Sequence, residues 1–181
     1  ERECFLVQPH TALPGQPWIW KLEYFEAFPH FELAMLAQGF HLGFIKTGTM
    51  FGGAAAMQCW EKFYQAMTNE FKMAKRPVLL GLSRGGIYCY DWAGAHPDKV
   101  ACLYGDNPVC DFRSWPLRRG KSKTPGTFPQ AWRAFIEEQG FQSEEAALSS
   151  KWNPINNLAA LSTERIPIIH VVGEDDDIVP V

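Results

Sequence analysis

The sequence predicts an α/β fold: a doubly wound, mostly parallel sheet with helices on both faces. Three observations carry that expectation. Five short strand-like runs, residues 4–7, 40–45, 78–80, 100–104 and 166–172, alternate with helical or longer connections. The last run is apolar almost without a break, as a parallel strand covered on both faces must be. Between the third run and a helical stretch stands Gly81-Leu82-Ser83-Arg84-Gly85-Gly86, a strand–turn–helix junction with a glycine two residues to either side of a serine.

With 181 residues, 46% of them hydrophobic, the chain is long enough for one domain with a sizeable core. Residues 1–181 are therefore read as a single domain. The formal charge of −3 provides no basic field to hold nucleic acid. No apolar run reaches the length that spans a bilayer, so no membrane partner is expected. Cys4, Cys59, Cys89, Cys102 and Cys110 form no Cys-x-x-Cys pair and no His/Cys ligand spacing, so no metal and no cofactor is expected. Buried free thiols account for most of them, with a disulfide between Cys102 and Cys110 left open. The chain begins at Glu1 rather than Met, which a cleaved leader or a trimmed chain would equally produce; compartment and oligomeric state are not read from it.

Taken in order, residues 4–7 make a short buried strand, and residues 10–20 a Pro/Gly-punctuated loop carrying Trp18 and Trp20. Residues 25–38 place Phe28, Phe31, Leu33, Met35 and Leu36 at helical spacing, Pro29 marks the start of the helix, and Gly39 suits the C-terminal cap. His41 lies inside the next strand and reads as structural. After a glycine-rich loop, residues 54–72 form an amphipathic helix with Trp60, Phe63, Tyr64 and Met67 on one face. The helix after Gly86 is apolar on nearly every side, with Asp91 its one charge, which marks it as buried. Residues 111–157 break the rhythm. They hold Arg113, Arg118, Arg119, Lys121 and Lys123, a helix over 129–139, and Trp115, Trp132 and Trp152. Two readings stand: a solvated basic loop, or a cap whose cations and tryptophans face an anionic or sugar-like substrate.

The glycine–serine junction has a chemical reading. A turn this sharp brings the residues flanking the serine almost into contact, so Gly81 and Gly85 supply the missing side chains and Gly86 adds clearance. Ser83 is then held in a strained conformation with its hydroxyl above the sheet edge, the setting of a nucleophile. A serine hydroxyl needs a histidine to accept its proton, a carboxylate to orient that histidine, and preorganised donors for the oxyanion.

On these residues the chain resembles the α/β-hydrolases, and among them the bacterial prolyl-oligopeptidase-like and esterase-like hydrolases, many of them secreted. The late strand of those proteins ends in Gly-x-x-Asp-x-x-Val-Pro, matched here by Gly173, Asp176, Val179 and Pro180. The resemblance implies Asp176 as the triad acid, with Asp175 and Asp177 as competitors and Asp106 as an alternative position. It implies an oxyanion hole from the N–H of Arg84 and one donor of the 10–20 loop, where Gly15, Gln16, Trp18 and Ile19 qualify and Trp18 is chosen. The implied function is a serine hydrolase acting through an acyl-enzyme on Ser83, with a small-molecule ester, of a carbohydrate or otherwise, as the partner. A serine peptidase, a dienelactone-type hydrolase and a catalytically inactive binding module are the alternatives. In this family the histidine follows the acid, yet His10, His30, His41, His96 and His170 all precede Asp176. The chain is thus expected to be part of a longer one, with strands before residue 4 and roughly 50–80 residues carrying the histidine after Val181. On that expectation these residues alone show little esterase activity.

Overall fold

The computed structural model describes residues 2–48, 51–117 and 129–179. Six strands form one sheet: β1 (Cys4–Val7), β2 (Trp18–Lys21), β3 (His41–Ile45), β4 (Val78–Leu82), β5 (Cys102–Asp106) and β6 (Ile168–Val171). Their order in space is β1-β3-β2-β4-β5-β6. β1 runs antiparallel to β3, with Cys4 opposite Ile45, and every other pairing is parallel. The mostly parallel sheet is as expected.

β2 lies at the end of the segment 10–20, where a loop is expected. Its four residues are all buried between β3 and β4, so they show no polar–apolar alternation, and Pro17 directly before them reads as loop punctuation. Alternate residues still face opposite layers. Trp18 and Trp20 join Leu79 and Leu103 in the larger core, beneath α2 (Gly53–Gln65) and α3 (Gly85–Ala95). Ile19 joins Leu42 and Leu80 on the other face, against Phe31, Met35 and Leu36 of α1 (His30–Ala37). Helices therefore cover both faces.

Other departures are local. α1 starts directly after Pro29, as expected, but Phe28 stays outside it, with a φ of 48° and 73% exposure, while Glu32 turns inward. The helix predicted over 54–72 is α2 continued by one wider turn, Ala66–Glu70; Trp60, Phe63, Tyr64 and Met67 are buried as expected. α3 is buried from Gly85 to Ala93. The region after β5 carries α4 (Pro129–Gln139), α5 (Glu144–Ser149) and α6 (Ala159–Thr163), the first two within 111–157. The side chains of β6 are exposed rather than covered, since β6 is last in the sheet order and has β5 as its one neighbour among the described residues. All five cysteines are free, so the Cys102–Cys110 disulfide is not formed.

Candidate active site

Ser83 stands in the turn between β4 and α3 with a φ of 52°, a left-handed conformation that a serine adopts only when its surroundings impose it. Those surroundings are hydrogen bonds on both sides of the turn. The Ser83 N–H donates to the Asp106 carbonyl at 2.9 Å, and the Ser83 carbonyl accepts the amides of Gly86 at 3.0 Å and Val109 at 2.8 Å. The glycine spacing follows from steric contact. A Cβ on Gly81 would lie 2.7 Å from the Gly85 carbonyl oxygen and 2.8 Å from Cys89 Sγ. A Cβ on Gly86 would lie 2.7 Å from Pro108 Cβ, and one on Gly85 would lie 3.1 Å from Glu23 Cβ. Strand, turn and helix form one interlocked unit.

Glu23 belongs to the second wall, residues 22–29, which follow β2. β2 is parallel to β4, so this segment leaves the same carboxyl edge of the sheet as Ser83. Arg84, next to the serine, reaches across to it: Nε lies 3.4 Å from Glu23 Oε2, and the guanidinium stands 5.1 Å over the Tyr24 ring. Burial raises the Tyr24 phenol, the Arg84 charge opposes that shift, and the Ser83 side chain acts on the hydroxyl through a hydrogen bond. Tyr88, one turn into α3, is pushed far above the usual phenol range by burial and then by Glu23, whose carboxylate accepts its hydroxyl. Two clefts share Glu23, Phe44 and Lys46; one is bounded by Arg84 and the other by Tyr24, Phe5 and Phe25.

The early-loop donor needs correction. Trp18 is not in a loop: it opens β2, is 1% exposed, stacks on Trp20 and donates its indole Nε1 to the Ala74 carbonyl at 2.8 Å. Ile19 pairs with Val78, which puts Trp18 about five strand steps, or ~16 Å, before the end of β4. Gly15 and Gln16 precede β2 and lie at the amino edge of the sheet, opposite Ser83; Ile19 is a buried strand residue. The segment in reach of Ser83 is the one after β2, and Glu23 and Tyr24 are the residues the sequence reading missed. Their signal was the buried run Trp18-Ile19-Trp20 followed at once by charged Lys21.

The acidic turn is where it was expected, beyond the carboxyl end of β6. Asp176 Oδ1 accepts the amides of Ile178 at 2.7 Å and Val179 at 2.9 Å, which fixes the carboxylate's orientation. Asp175 and Asp177 flank it in the same turn. Asp106 ends β5, and its carboxyl lines the hollow under α1 with Lys21 and Glu32. Burial, then Glu32, raises that carboxyl, with Lys21 opposing.

The histidines serve elsewhere. His10 contacts Thr11, His30 opens α1, His41 Nδ1 is 3.4 Å from the Pro17 carbonyl, and His96 Nε2 is 3.2 Å from Glu61. His170 on β6 is hydrogen-bonded to the Tyr90 hydroxyl at 3.0 Å. None contacts Ser83 among the described residues. In the region 111–157, Trp115 stacks on Phe51, Trp132 packs at a tilt against Phe135, and Lys151 sits over Trp152. None of the three tryptophans lines either cleft at Glu23. Arg118, Arg119, Lys121 and Lys123 lie outside the described residues, as does Pro180 of the acidic motif.

No protein-family model and no curated protein matches the chain. Solved structures do. A monoacylglycerol lipase of Paleococcus ferrophilus superposes with a TM-score of 0.58 at 15% identity, over 99% of this chain and 80% of its own. A Pyrococcus furiosus esterase gives 0.57 at 14% identity, over 100% of this chain and 74% of its own. Mycobacterium tuberculosis MPT51 gives 0.60 at 13% identity, over 98% and 73%. At such identities the likeness is one of fold.

Proposed function

We propose that this chain, whose fold is that of the α/β-hydrolases, is a serine hydrolase of small-molecule esters with Ser83 as nucleophile. The observation that carries the reading is Ser83 at a φ of 52° on an interlocked strand–turn–helix. The Ser83 oxygen attacks the ester carbonyl, the C–O bond to the alcohol breaks with return of a proton to the leaving oxygen, and water then releases the acyl group from Ser83. The oxyanion is taken by the Arg84 N–H and by a donor of the Glu23–Tyr24 wall. Asp176 is the acid that orients the base. Residues 111–157 serve as the cap, since Gln139 Nε2 donates to the Gly52 carbonyl at 3.1 Å and Trp115 and Phe135 pack on Phe51, in the loop leaving the carboxyl end of β3. The tryptophans that suggested a sugar line neither cleft at Glu23, so the ester itself, and no carbohydrate, is proposed.

These residues supply no histidine at Ser83, and that observation favours a second reading, a binding module with the same elbow. One experiment separates the two. The chain is treated with a fluorophosphonate probe and with p-nitrophenyl esters, with and without added imidazole as an external base. Labelling and turnover that vanish in Ser83→Ala support the hydrolase. Equal labelling of wild type and variant removes Ser83 as the nucleophile, and no labelling of either leaves the binding module.

A further inference from the structure

Lys21 and Glu32 form an ion pair whose side chains are 1% and 3% exposed. A pair this deep is a weak stabiliser, because apolar residues of the same volume usually do as well or better. Its place in the fold suggests a different use. Lys21 is the last residue of β2, and Glu32 lies in the first turn of α1, so the pair closes the base of the 22–29 segment. Lys21 Nζ also donates to the Ala27 carbonyl at 2.7 Å, and the Ala27 N–H donates to the Tyr24 carbonyl at 3.0 Å. The segment includes two non-glycine residues in the left-handed region, Tyr24 at 52° and Phe28 at 48°. Neither conformation persists unless something outside the two residues holds it. The held face presents Glu23 to Arg84 at 3.4 Å and the Tyr24 ring beneath the Arg84 guanidinium at 5.1 Å.

We propose that Lys21 and Glu32 are positioning residues, a buried charge pair that holds the Tyr24 wall against the Ser83 turn through the Lys21–Ala27–Tyr24 hydrogen bonds. The proposal rests on the reading of Ser83 as nucleophile for its effect on rate, but not for its effect on structure. Asp106 lines the same hollow, so two acidic side chains, Glu32 and Asp106, share it with Lys21.

The test replaces the pair together, Lys21→Met with Glu32→Leu, so that no buried charge is orphaned. Two arms are read on the whole chain. In the first, tyrosine Cζ is labelled with ¹³C and the Tyr24 signal is assigned by its loss in Tyr24→Phe. The double variant should melt as one cooperative unit while the Tyr24 signal moves toward that of free tyrosine. In the second, the rate of Ser83 labelling by a fluorophosphonate is followed against probe concentration. The limiting rate should fall about 10–100-fold with half-saturation unchanged, the pattern of a lost transition-state contact. Adding Tyr24→Phe to the double variant should cost nothing more, because both changes act through one residue. Lys21→Arg, which keeps the ion pair but displaces the donor to Ala27, should give smaller shifts in the same direction, and it decides the question if the double variant does not fold. An unmoved Tyr24 signal, or losses that multiply, overturns the proposal. Should the wild type not label at all, the Tyr24 signal alone decides this proposal.

Discussion

The Gly173 amide donates to the side-chain oxygen of Asn107 at 2.7 Å. This bond ties the start of the acidic turn to the end of β5, one residue past the Asp106 carbonyl that receives the Ser83 amide. Asn107 also donates its own amide to the Val171 carbonyl at 2.8 Å and takes a φ of 43°, in the region where Asn is the best tolerated non-glycine residue. The Ser83 turn and the acidic turn are thus both registered on the Asp106–Asn107 peptide. Asn107→Ala should loosen the Asp176 turn and destabilise the fold by about 1 kcal/mol. Asn107→Gly, which suits the backbone, should lose the same bond with less strain; urea melts of the two variants check the ranking.

If Asp176 is the acid of the proposed site, Asp176→Asn should slow ester turnover by about 10⁴-fold, as a mis-set histidine tautomer does. Asp106→Asn, whose carboxyl lies under α1, should change turnover by less than about 10-fold. Steady-state kinetics on both variants of the active protein decide between them, and the opposite ranking would move the acid to β5.

Ser83→Ala should remove several orders of magnitude of turnover and all fluorophosphonate labelling while the melting temperature stays the same or rises. A rise is expected because alanine removes the functional hydroxyl from a strained site. Unchanged turnover with an intact fold is the result that would defeat the assignment.

Gly81→Ala and Gly94→Ala should differ sharply although both new methyl groups meet neighbours. At Gly81 the obstacle is the Gly85 backbone, 2.7 Å away, which cannot move without unmaking the turn. At Gly94 it is the terminal amide of Asn157, which can swing aside. The first should cost roughly 2–4 kcal/mol and the second less than about 1 kcal/mol, offset by better helix propensity. Denaturant midpoints at constant slope give both values.

Asp91, buried in α3, accepts the Gly53 amide through Oδ2 at 3.0 Å, while Oδ1 has no partner among the described residues. Burial outweighs that amide and Lys151 and holds its carboxyl well above the usual carboxylate range. A raised folded-state pKa means that folding favours the protonated acid. Its contribution is full below the ordinary range and is lost as pH rises through the folded value. Asp91→Asn is uncharged at every pH and keeps an acceptor for Gly53. The variant should therefore gain melting temperature over the wild type as pH rises from 4.5 to 8; a gap that stays constant across that range contradicts the prediction.

What the sequence by itself determined lies in local rules. The elbow was legible because a turn that closes Gly81 on Gly85 leaves no room for side chains, and no distant contact can relax that. The acidic turn was legible through the resemblance, on Gly173, Asp176 and Val179, and the structure shows Asp176 binding amides two and three residues ahead in its own loop. The alternation of strands and helices followed from where apolar residues recur. Strand order was decided by the tertiary structure alone. β2 is four residues wedged between β3 and β4, and burial on both faces erased the alternation that would have revealed it. Missing that strand placed Trp18 in a loop, whereas it opens β2 and the segment beside Arg84 is the one holding Glu23 and Tyr24. The Lys21–Glu32 pair, the Arg84–Glu23 bridge and the Asn107–Gly173 bond were likewise invisible, joining residues 11, 61 and 66 positions apart. Such contacts depend on which strands lie side by side, and that is settled by the packing of the whole chain rather than by any window of it.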